Sequence, residues 1–68
     1  MSDDLRAAVD RAWPRRLVLL GRVREETGDH IGAVVAYREA ILAGDAVAAA
    51  DARHRLEDLI ARWAGRPA

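Results

Sequence analysis

Two Gly-Asp pairs, Gly28-Asp29 and Gly44-Asp45, constrain this chain more than any other feature. Glycine readily takes the left-handed conformation that closes a helix, and aspartate accepts hydrogen bonds from the free amides that open one. Each pair therefore ends one helix and starts another. The residues around them favour helices, and neither alternating apolar patterns nor Asn-Gly or Asp-Gly hairpin turns occur. The punctuation predicts an all-α chain.

Four helical segments follow from it. The first starts near Asp3, with Ser2 or Asp3 as its cap, and aligns Leu5, Ala8, Val9, Ala12 and Trp13 on one face. Pro14 lacks an amide donor and clashes with the turn before it, so a restart is expected there, with a second helix from Arg15 to Glu26. A third runs from His30 to Ala43. Its apolar residues cover more than half the circumference, which requires packing on two sides. The last, capped by Asp45, extends to about Trp63 before Gly65 and Pro67. Its stripe of Ala49, Ala52, Leu56, Leu59 and Trp63, with Ile60 alongside, is the cleanest amphipathic pattern in the chain. The opposite face carries Asp51–Arg55 and Asp58–Arg62 in the favourable acid-first order.

Size and composition decide how such helices can be stabilised. At 68 residues the chain is one small helical domain spanning 1–68, and with no cysteine it has neither disulfides nor a cysteine zinc framework to reinforce a small core. Association with a second copy or another protein is the remaining route. Eleven basic residues, all Arg, balance eleven acidic ones, so no positive field gathers nucleic acid or anionic lipid. The longest strongly apolar run, Leu17 to Leu20, falls far short of the ~20 residues of a membrane span, and the acidic start lacks the basic region of a signal peptide. A cytoplasmic protein with no membrane association is expected.

Residues 14–47 resemble a tetratricopeptide repeat, a helical hairpin of about 34 residues. Leu20-Gly21 corresponds to the Leu-Gly pair of the family's first helix and Gly28-Asp29 to its turn. Ala33 and Tyr37 correspond to the small and aromatic residues of its second helix, and Ala40-Ile41 to the small-large pair near its end. The resemblance implies that Gly21, Ala33 and Ala40 let two backbones approach closely, with Tyr37 and Leu20 filling the space beside them. The chain departs from the pattern at Leu17, where the family favours Trp, at Arg24, where it favours Tyr, and at Asp45, where it favours Pro. The implied architecture is a tetratricopeptide-like hairpin flanked by an N-terminal helix and by a capping or oligomer helix over 48–64.

The function that follows is protein–protein interaction: a small accessory or assembly subunit that docks on a larger protein through helical surfaces. The resemblance implies a concave face on the hairpin's first helix, with Arg15, Val18, Arg22 and Glu25 as partner-binding residues. The last stripe, at Ala52, Leu56, Leu59, Ile60 and Trp63, is expected to make the oligomer contact of a homodimer or of a larger complex. A small dimeric helical regulator contacting nucleic acid through Arg15, Arg16, Arg22 and Arg24 is the second reading, opposed by the neighbouring acids.

An enzyme is not expected. There is no cysteine, no Gly-rich phosphate loop and no paired carboxylates on a rigid element. No catalytic residue, cofactor or metal is assigned. His54 shares a helix face with Asp51 and Asp58, but each Asp has an Arg four residues on, which favours ion pairs over metal ligation. His30, at a helix start, reads as a packing residue.

Overall fold

The computed structural model describes residues 2–65, with side chains described from residue 12 onward. It is all-α. Three helices follow one another, α1 over Ser2–Glu26, α2 over His30–Leu42 and α3 over Ala46–Ala64. Among the described residues there is no strand, and no helix is long and apolar enough to cross a membrane.

The two Gly-Asp pairs act as their chemistry requires. At the end of α1, Gly28 takes φ +83°, its amide donates to the Glu25 carbonyl at 3.1 Å, and the Asp29 amide donates to the Arg24 carbonyl at 2.8 Å. That double closure satisfies carbonyls the helix would otherwise leave free. Asp29 then opens α2, its carboxylate accepting from the Gly32 amide at 2.9 Å. The second pair works alike, with Gly44 at φ +88° and the Asp45 carboxylate accepting from the Ala48 amide at 2.8 Å.

The expected break at Pro14 is absent: α1 runs straight through it as one helix. A proline inside a helix forfeits one backbone hydrogen bond and crowds the preceding turn, at a cost of about 3 kcal/mol. Here Pro14 is buried on the same face as Leu17, Val18 and Gly21, and removal of its ring from water offsets part of that cost. The separate leading helix thus becomes the first half of α1. Leu5, Ala8 and Val9 lie outside the described side chains, and Trp13, placed on their face, is 55% exposed.

α2 packs on both neighbours, as its broad apolar surface demands. The core consists of Leu17 and Val18 from α1, Ala33, Tyr37 and Ala40 from α2, and Ala48, Ala52 and Leu59 from α3. Tyr37 is the one large side chain with no exposure at all, and its ring lies against the bare Cα of Gly21. Small residues elsewhere let the helices approach closely around it. Leu20, expected beside Tyr37, instead points outward and is partly exposed. Arg24, standing where an aromatic was absent from the pattern, reaches across to α2 and donates to the Gly32 carbonyl at 3.1 Å. The result is elongated, 54 × 21 × 12 Å, with several faces of each helix open to solvent.

Candidate functional site

α1 and α3 run side by side in the same direction with α2 returning between them, and their outer walls enclose a groove of about 320 Å³. Arg15, Val18 and Leu19 of α1 line one wall, and Val47, Ala48 and Asp51 of α3 the other. Residues 15, 18 and 19 fall within one turn of α1, as 47, 48 and 51 do on α3, so the two sets face each other across the opening. Its floor is Val18 and Ala48, both buried in the core. Leu19 and Val47 form its apolar rims and are 55% and 71% exposed. Arg15 adds a cation on one side and Asp51 an anion on the other, the latter held by Arg55 Nε at 2.8 Å.

Further along, the same two helices are joined by a polar junction. Glu25 of α1 accepts from the Tyr37 hydroxyl of α2 through Oε2, and from Arg62 Nη2 of α3 through Oε1 at 2.8 Å. One carboxylate thereby bonds all three helices. Beside it is a small cleft of about 80 Å³ lined by Glu25, His30, Leu59, Arg62 and Trp63. His30 meets Trp63 edge to face there, ring centroids 5.6 Å apart. The packing role expected of His30 is what this geometry describes.

These contacts redistribute the residues expected to bind partners. Arg15 and Val18 both line the groove, but Val18 is only 5% exposed and serves as its floor rather than as an apolar spot on the surface. Arg22, two turns beyond Arg15 on the same helix, is exposed. Glu25 is turned inward, since both of its oxygens are engaged within the chain. In α3, Ala52 and Leu59 are buried in the chain's own core and Leu56 is partly covered by it. The hairpin covers more of the stripe than its apolar width implied, leaving Ile60 and Trp63 as the large side chains of that set still half exposed.

Of the two ion pairs expected along α3, one differs. Asp51–Arg55 forms, whereas Asp58 and Arg62 do not pair through their side chains: Arg62 reaches Glu25, and Asp58 lies 3.6 Å from His54 Nε2. Leu19 and Val47 were not singled out as functional residues. Their signal in the sequence was an apolar side chain on the solvent side of each helix, one position off the core stripe.

The junction predicts an alkaline transition. Burial, then the hydrogen bond to the Glu25 carboxylate and its negative charge, pushes the Tyr37 hydroxyl pKa well above the usual 10. The unfolded chain, with an ordinary phenol, releases that proton first as pH rises. The stabilisation is therefore complete below about pH 10 and lost progressively above it. Tyr37 is the only tyrosine. Tyrosinate absorbance followed against helical circular dichroism should show ionisation and unfolding together, whereas ionisation near the ordinary value with the helices intact would contradict the burial.

No protein-family model, no curated protein and no solved structure matches the chain.

Proposed function

We propose that the chain is a non-catalytic protein-interaction module, a small accessory or assembly subunit of the cytoplasm that docks on a larger protein through its helical surfaces. It works as a homodimer or as a subunit of a larger complex. The observation that carries this reading is the groove between α1 and α3, whose apolar rims at Leu19 and Val47 stand open beside one cation and one anion. Apolar side chains on a concave surface flanked by charges match the apolar centre and polar rim of an interaction site. The tetratricopeptide-like reading is supported by the close approach of Gly21 to Tyr37 and by the buried Ala33 and Ala40. On that reading α1 and α2 form the hairpin and α3 begins a second unit.

The test is retention from native extract by the wild-type chain, Leu19→Asp and Val47→Asp. Both positions are exposed, so the variants should melt within a degree or two of wild type and lose the retained protein. Equal retention by all three chains would overturn the groove as the docking site. Nucleic acid is the competing partner, and with zero net charge the chain should show no binding to random duplex at physiological salt. Micromolar binding with a steep salt dependence would put the Arg-mediated regulator in its place.

A further inference from the structure

The side of α3 turned away from the groove carries a second pattern. Ala49, Leu56, Ile60 and Trp63 keep the spacing of a two-helix seam, steps of 7, 4 and 3 residues, with Arg53 at the intervening position. Leu56 packs against the core with part of its surface and Trp63 meets His30 at one edge, but neither is fully buried, and Arg53, Ile60 and Trp63 are exposed. At 3.6 residues per turn this seam is rotated well away from Asp51 and Arg62, which face α1. We infer that this face binds a second copy of the chain, with the two α3 helices antiparallel about a two-fold axis at Leu56. The inference rests on the proposal that the chain works in an assembly and names the occupant of a surface other than the groove.

Two observations favour a copy of the same chain as that occupant. The first is size: about Leu56 as centre, small Ala49 faces the partner's large Trp63 at both ends, while Leu56 meets its own equivalent. The second is charge. In the same register Arg53 comes within about 3 Å along the axis of the partner's Glu57, at 1.5 Å rise per residue. Neither Arg53 nor Glu57 has an ion-pair partner among the described residues, and the symmetry makes the cross-pair twice. Two chains of zero net charge also approach without long-range repulsion.

A C2 contact uses the same patch on both chains and closes, so it covers this face without building a fibre.

Sedimentation equilibrium of the full chain from micromolar to hundreds of micromolar, with charge-swapped variants, tests the seam. Wild type should reach twice its 7.5 kDa mass. Arg53→Glu and Glu57→Arg should each weaken the dimer by about tenfold or more, because each opposes like charges twice, and the double swap should restore it. Within one helix the same two residues are four apart, a pairing that accounts for no more than about a twofold change in folding, far below the effect expected. Both sites are exposed, so far-UV circular dichroism should be unchanged by each swap. Leu19→Asp, in the groove, should leave the dimer intact and so separates this contact from the docking site. A mass that stays at 7.5 kDa throughout overturns the inference, and so does a dimer indifferent to the single swaps or not restored by the double.

Discussion

Gly21→Ala should lower the melting temperature by about 10 °C, although alanine is the better helix former. In an exposed helix interior that exchange would stabilise by roughly 1 kcal/mol. At Gly21 the added Cβ would lie 2.6 Å from Cδ1 and 2.8 Å from Cζ of Tyr37. The ring cannot retreat, because it is fully buried and its hydroxyl is held by Glu25. Overpacking of this kind costs about 1–3 kcal/mol or more, and in a domain this small each kcal/mol moves the midpoint by roughly 4–8 °C. Gly28→Ala is the control. No atom lies within 4 Å of a Cβ there, so only the left-handed backbone opposes the substitution, at a cost of roughly 1–2 kcal/mol. Smaller side chains at position 37 should relieve the clash at Gly21 and leave the Gly28 penalty untouched. A thermal melt of Gly21→Ala at or above wild type would mean that α1 and α2 are not in contact at this point.

Tyr37→Ala should leave the chain largely unfolded at 37 °C. Removing a buried aromatic costs about 3–5 kcal/mol, and at roughly 0.05–0.15 kcal/mol per residue a chain of this length has only ~3–10 kcal/mol in total. Tyr37→Phe isolates the hydroxyl. It keeps the ring against Gly21 but removes the donor to Glu25, whose other oxygen retains Arg62. A loss of roughly 1 kcal/mol is expected for this variant, together with disappearance of the tyrosinate transition. Urea titrations of the two variants should therefore differ several-fold in the free energy lost. Equal and small losses would show that the ring is not the centre of the core.

How much could be read from the residues depended on the range of the interaction that decided each one. Gly28-Asp29 and Gly44-Asp45 declared themselves because capping is settled within five residues, and both behave as capping chemistry requires. Pro14 did not, because whether a proline ends a helix or sits inside one depends on what packs against its ring, and that comes from elsewhere in the chain. The intramolecular partners of Glu25 were hidden for a related reason. On a helical wheel it is one more charge beside Arg22, but its two partners stand 12 and 37 residues away. The groove was half legible. Arg15 was on its wall, yet the apolar rim passed to Leu19, since Val18 turned into the core beneath it. On α3 the buried positions Ala52 and Leu59 followed the stripe correctly, but a stripe does not say whether the chain itself or a partner covers it.

The connections between helices are only three residues long, 27–29 and 43–45. Almost every core contact therefore joins residues of adjacent helices, and little loop entropy is lost before packing begins to compensate. Chains with such local topology fold in microseconds to milliseconds, and at modest stability they also open often. Of α2 and α3, α3 is the one such openings would release more readily. Its hold on α1 is confined to the Glu25–Arg62 bridge and a short run of contacts, and Arg62 is 70% exposed. Amide exchange should therefore be faster in α3 than around Ala33 to Ala40, so the kinetics of a partner acting through α3 would be set by how quickly that helix re-docks.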